Sequence, residues 1–193
     1  LKKQKAASLV HAGNTATKQR VGLIQQENGK LAILSRTGKE RVRVSEKLTL
    51  TGAAILKTRT SFVLVTKNNE QKTISQSGKI TSKKINATDE YSLNIVRDNT
   101  ISLSDNHLRV NSKHIELPFG IYTSPRVYYA NKKGYITTTE TQEKKTYLYN
   151  FDGTLLKGFP VYGATRAEVI ASNKNVFVLT KEDDTKCIVY QIK

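Results

Sequence analysis

The residues able to do chemistry in this sequence are few and scattered. Histidine occurs only as His11, His107 and His114, and cysteine only as Cys187. His107 and His114 are seven positions apart on neighbouring strand-like segments, so they can approach each other, but no carboxylate cluster accompanies them. A metal centre wants three or four convergent ligands with a supporting shell behind them. Ordinary surface or packing roles are therefore expected, and no metal. Cys187 opens a strand-like segment, with no base and no helix N-terminus to activate it. A free cysteine of that kind reads as a small buried apolar residue.

The carboxylates are no more suggestive. Asp89-Glu90 and Glu182-Asp183-Asp184 fall in expected turns, without the alternating spacing and glycine of a calcium loop. Acid–base work needs two carboxyls flanking a cleft, and nothing sets these apart from solvated turn residues. Neither glycine-rich phosphate-binding pattern occurs. Gly38, Gly78 and Gly153 are accounted for by turns that need positive φ. No enzyme activity and no cofactor is expected.

Charge offers a different chemistry. The 193 residues carry 32 Lys and Arg against 16 Asp and Glu, a net charge of +16. The excess is concentrated: residues 1–85 hold +14 of it and residues 86–193 only +2. Lys18, Arg20, Arg36, Arg41 and Arg43 are the candidates for gripping a polyanion such as nucleic acid or an acidic glycan. Seven tyrosines lie between Tyr122 and Tyr162, in the near-neutral half. An oligonucleotide groove interleaves aromatic and basic residues, so this separation favours packing, with hydroxyls left at the rim.

The elements that carry these residues read as short β-strands. Thr60–Thr66, Ile101–Ser104, Thr146–Asn150 and Val176–Thr180 are rich in Val, Ile, Thr and Tyr. Asn28-Gly29, Thr37-Gly38, Ser77-Gly78, Asp105-Asn106 and Asp152-Gly153 separate such segments as turns. The best helical candidate, Lys2–Leu9, is short. Hydrophobic content is 37% and mean hydropathy −0.47, and no apolar run is long enough for a membrane helix.

The segments repeat. Arg36–Lys39 and Gln76–Lys79 are offset by 40, and Phe62–Glu70 aligns with Val176–Asp184 at 114, three steps of 38. A step of 35 from Gly78 reaches Ser112-Lys113, where a further turn is expected. Such a period with about four short strands is the signature of a β-propeller blade. The expected fold is all-β: one propeller domain over 1–193, or a fragment of a larger propeller, with blades at about 8–45, 50–85, 91–117, 126–158 and 167–193. The last lacks its outer strand, and the outer strand of the fourth is expected at Thr154–Gly158. In the outer strand Arg41-Val42-Arg43-Val44, alternation puts valines on one face and arginines on the other. An irregular β-sandwich is the alternative fold; the spacing counts against it.

Thr146–Gly163 (TYLYNFDGTLLKGFPVYG) resembles the third and fourth strands of quinoprotein-like propeller blades, and Lys30–Lys39 is a weaker version. Lys113–Pro125 and Leu155–Gly163 also resemble the C-terminal region of large Bacteroidota envelope-associated proteins. The resemblance implies a cell-envelope or periplasmic setting and further blades upstream. The absence of any Met points the same way, to a piece of a longer protein. The quinoprotein cofactor is not implied, because the chain has no Trp and one Cys. The resulting expectation is a non-catalytic interaction module, partnered by a protein, an envelope component or the upstream part of its parent chain. Polyanion binding by the basic half is the alternative. A hydrolase or lyase site at the propeller mouth is a second.

Overall fold

A computed structural model describes residues 6–13, 20–26, 30–35, 37–47, 56–58, 60–66, 68–85, 91–97 and 99–192, and contains no helix among them. Strand-forming segments broken by polar turns give five antiparallel meanders. The first joins β1 (Ala6–Gly13), β2 (Arg20–Gln26), β3 (Lys30–Ser35) and β4 (Glu40–Lys47). The second joins β5 (Leu56–Lys57), β6 (Ser61–Val65), β7 (Glu70–Ser75) and β8 (Ile80–Lys84). The third holds β9 (Ser92–Val96), β10 (Asn99–Ser104), β11 (His107–Val110) and β12 (Lys113–Glu116). The fourth holds β13 (Arg126–Ala130), β14 (Lys133–Glu140), β15 (Lys145–Asn150) and β16 (Val161–Tyr162). The fifth has three described strands, β17 (Glu168–Ser172), β18 (Asn175–Lys181) and β19 (Cys187–Ile192).

The chain divides into two compact units, Leu1–Asn86 with Ile95–Asp98, and Ala87–Asn94 with Asn99–Lys193. In the first unit, Leu23, Leu31, Ile33 and Val44 of the first sheet pack against Phe62, Leu64 and Ile74 of the second. Val44 is buried and Val42 half-buried, while Arg41 and Arg43 are exposed, so β4 follows its alternation. The repeated turn is a repeated set of hydrogen bonds. The Ser35 N–H donates to Lys39 O at 2.7 Å, and the Ser75 N–H to Lys79 O at 2.9 Å. Each serine hydroxyl accepts the N–H of the residue four ahead, at 3.1 Å in both turns. Gly78 has φ +84°, and a Cβ there would stand 2.5 Å from Val42 Cγ1, so the second turn needs glycine for conformation and for space.

In the second unit the two central strands of the fourth sheet, β14 and β15, are buried on both faces. Ile136, Tyr147 and Tyr149 pack against Ile101, Leu103, Leu108 and Val110 of the third sheet. Their strand neighbours Tyr135 and Leu148 point the opposite way, against Val169, Val176 and Val178 of the fifth. A period of two with both faces covered explains the nearly continuous apolar and threonine runs of β14 and β15.

Three expectations change. The outer strand of the fourth sheet is β16, not Thr154–Gly158. Leu155 makes a single bridge to Tyr149, and the Leu156 N–H bonds Leu148 O at 2.9 Å. The chain then leaves the ladder at Gly158, which has φ +89°, and at Pro160, which follows a cis bond and has no N–H to donate. It rejoins where Val161 pairs with Thr146. Ala6–Leu9, the described part of the helical candidate, is extended in β1, because pairing with β2 overrides a weak local preference. Cys187 is exposed rather than buried, at the start of β19, which among the described residues pairs only with β18. Turns at Thr37-Gly38, Ser77-Gly78, Asp105-Asn106 and Asp152-Gly153 stand as expected, and Asn111-Ser112 supplies the turn before Lys113. Asn28-Gly29, Asp89-Glu90 and the 50–55 part of an expected strand lie outside the described residues.

Candidate functional site

The connection from the third sheet to the fourth, Leu117–Pro125, is built around a buried carboxylate. Glu140 closes β14 and is 3% exposed. Its Oε1 accepts the N–H of Ile121 at 3.0 Å and of Gln142 at 3.1 Å, and its Oε2 accepts the N–H of Glu143. Burial pushes its pKa up, but these N–H donors, with the Lys145 charge, outweigh burial and hold it below the usual carboxylate range. Gly120 lies directly over the carboxylate, where a Cβ would meet Glu140 Cγ at 2.6 Å. The next residues are laced to β14: the Thr123 N–H donates to Thr139 O and the Thr141 N–H to Ile121 O, both at 2.8 Å. The Tyr122 hydroxyl donates to Pro118 O at 2.8 Å. This anchored backbone carries Phe119, 98% exposed, and Ile121, 51% exposed.

Neighbouring loops share that end of the fourth and fifth sheets. The Gly163 N–H bonds Lys144 O and the Ala164 N–H bonds Lys181 O, both at 2.8 Å. Beneath them, the hydroxyls of Thr139 and Thr180 each donate to Thr165 O at 3.0 Å, and Thr139 and Thr146 share a hydroxyl contact at 3.0 Å. Gly163 is packed so closely that a Cβ would stand 2.7 Å from Thr180 Oγ1 and closer still to Thr146 Oγ1. The acidic run at 182–184 is a turn: Asp183 Oδ1 accepts from the Thr185 hydroxyl and N–H and from the Lys186 N–H, which hold its pKa low. The result is a firm ledge bearing exposed Phe119, Ile121 and Tyr162 beside charged loop residues.

The expected polyanion residues are placed as follows. Arg41 and Arg43 stand two apart on one face of β4, both exposed, and Arg43 Nε donates to Glu40 Oε1 at 3.1 Å. Arg20 opens β2. Lys18 and Arg36 lie outside the described residues, so the described structure brings together only the β4 pair.

The tyrosines mostly pack. Tyr122, Tyr135, Tyr147 and Tyr149 are buried, and the Tyr147 and Tyr149 rings stack at 6.4 Å. Burial, aided by Tyr147, pushes the Tyr149 phenol up to about 12. Tyr129 and Tyr162 reach the surface. Among the described residues, no group of three or more His, Cys, Asp or Glu is arranged to hold a metal ion. His107 and His114 do meet, on paired strands.

Two features escaped the sequence reading. Nothing in the sequence around Glu140 singles it out. Arg126 pairs with Glu168, whose other oxygen accepts the Tyr128 hydroxyl at 2.8 Å. A signal for that pair existed, since Arg126 and Glu168 open the first strands of successive repeats and carry opposite charges.

No protein-family model matches the chain, and no curated protein matches it. Solved structures do resemble it. A eukaryotic initiation factor aligns over 99% of this chain and 53% of its own, at 12% identity and a TM-score of 0.63. The BBS1N–ARL6DN complex aligns over 99% and 63%, at 10% identity and 0.59. The computationally designed Ika8 protein aligns over 97% and 58%, at 11% identity and 0.54. The fold is β-propeller-like. Five antiparallel meanders at a period near 40 are its blade units, and identity this low carries the fold alone. The chain spans less than two thirds of each of these structures.

Proposed function

We propose that the chain is a non-catalytic interaction module of a larger cell-envelope protein and binds a protein or envelope component through the loop ledge of its second unit. The observation that carries this reading is Phe119. A phenylalanine left 98% exposed, on a loop held by a buried carboxylate, is a side chain presented rather than packed. The setting within a Bacteroidota-type envelope protein rests on the resemblance of Lys113–Pro125 and Leu155–Gly163. The test is capture from envelope extract by the wild-type chain and by a Phe119→Ser, Ile121→Ser variant. A partner retained by the first and lost by the second is expected. Equal capture by both would reject the ledge.

A second reading is supported by the charge distribution and by the exposed Arg41 and Arg43: polyanion binding by the basic half. Its affinity for DNA or an acidic glycan should fall steeply with salt. Weak binding, flat with salt, would dismiss it.

A further inference from the structure

We propose that His107 and His114 form an open, two-imidazole site for a borderline divalent cation, Cu²⁺, Ni²⁺ or Zn²⁺. The site is made by strand register. In the β11–β12 hairpin, His107 faces Glu116 and Arg109 faces His114. Directly opposed residues of an antiparallel pair share a face, as do residues two apart. His107, Arg109, His114 and Glu116 therefore share one face, and Leu108 and Val110 point into the core from the other. The two histidines are diagonal neighbours, and both are exposed.

The distance between them suits chelation. His114 Nε2 and His107 Nδ1 are 3.2 Å apart, with ring centroids 5.2 Å apart and planes tilted by 37°. Two imidazole nitrogens on one tetrahedral zinc, each about 2.0–2.1 Å from the metal, stand about 3.3 Å apart. The metal-free contact already holds the nitrogens at that spacing, and binding has only to turn the two rings until both lone pairs converge on the cation.

In the metal-free pair one inner nitrogen carries the hydrogen that the other accepts. On binding, that ring passes its proton through solvent to its own outer nitrogen. Both inner lone pairs then face the cation and no net proton is lost. Imidazole suits Zn²⁺, Cu²⁺ and Ni²⁺, and the expected order places Cu²⁺ first. Water fills the other positions, and Glu116, opposite His107, lies on the same face. Arg109, opposite His114, opposes binding through its charge; Ser102 and Ser104 of β10 lie on the same face, with Tyr91 against Ser102 and Arg109.

The test uses the full chain without a histidine tag. Titration with each metal at neutral pH in a non-coordinating buffer, followed by calorimetry and by the imidazole C–H resonances, should show one equivalent bound, Cu²⁺ tightest. His107→Ala and His114→Ala should each weaken binding by about tenfold or more, while His11→Ala leaves it unchanged. Arg109→Gln should tighten it severalfold. Both histidines are exposed, so the variants should melt with the wild type; if an alanine variant melts early, His107→Gln and His114→Asn carry the test. No saturable binding, or wild-type affinity in either histidine variant, overturns the proposal.

Discussion

Replacing Glu140 by Gln tests whether the ledge rests on one ionised carboxylate. The two oxygens accept three backbone N–H groups, from Ile121, Gln142 and Glu143. Glutamine keeps one acceptor oxygen in place of Oε1, which can still serve Ile121 and Gln142, but now as neutral bonds. Its NH₂ replaces Oε2 and confronts the Glu143 N–H, donor against donor. Hydrogen bonds to charged groups contribute about 1.5–3 kcal/mol each and neutral ones about 1 kcal/mol. Weakening two and losing one gives an expected destabilisation of about 2.5–7 kcal/mol at neutral pH. The sign of the pH dependence follows from the carboxyl's lowered folded-state pKa. Its contribution is complete above the unfolded-state pKa, near 4.3 for a free Glu, and is lost as pH falls through the lower folded value. Urea unfolding of wild type and variant at neutral pH and at about pH 3 should show the gap and then its narrowing. Asp152 and Asp183 also have lowered pKa values, but they are present in both proteins and cancel in the difference. A neutral-pH gap below about 0.5 kcal/mol, or a gap unchanged by acid, would refute the reasoning.

Gly163→Ala should lower stability by about 1–3 kcal/mol, because the added methyl meets the Thr146 and Thr180 hydroxyls; thermal unfolding measures it, and an unchanged melting temperature would mean the loop yields freely. Leu148→Ala empties a fully buried position between the fourth and fifth sheets and should cost about 2–5 kcal/mol by urea unfolding. In a spectrophotometric titration the Tyr149 phenol should ionise near pH 12, and Tyr149→Phe should remove that step. Phe119→Ser should leave stability within about 0.5 kcal/mol of wild type, so any loss of partner capture in its double variant with Ile121→Ser reports on the surface.

Much of the fold was legible because its determinants are local. Ser35 to Lys39 and Ser75 to Lys79 make the same turn because a serine hydroxyl, a glycine and two backbone bonds suffice, all within five residues. The alternation of Arg41 to Val44 was equally direct, since strand pleating sorts neighbours to opposite faces. The strand expected at Thr154–Gly158 failed for an equally local cause that the spacing concealed. Gly158 and Pro160 carry the chain out of the ladder before Val161 restores it.

The site was less legible. Nothing in the letters around Glu140 distinguishes it from a solvated strand end; its role comes from a loop some twenty residues earlier folding back to place the Ile121 N–H upon it. Phe119 has the composition of a core residue, and only the anchored loop turns it outward.

By itself, then, the amino-acid order determined the short strands, their turns and the period near 40, because backbone conformation and face alternation are set within a few residues. Tertiary structure decided which residues of different repeats and connections meet: Arg126 with Glu168, Thr139 with Thr165, Tyr122 with Tyr147. Those contacts depend on how whole sheets pack on one another, and packing is a property of surfaces that no short stretch of chain contains.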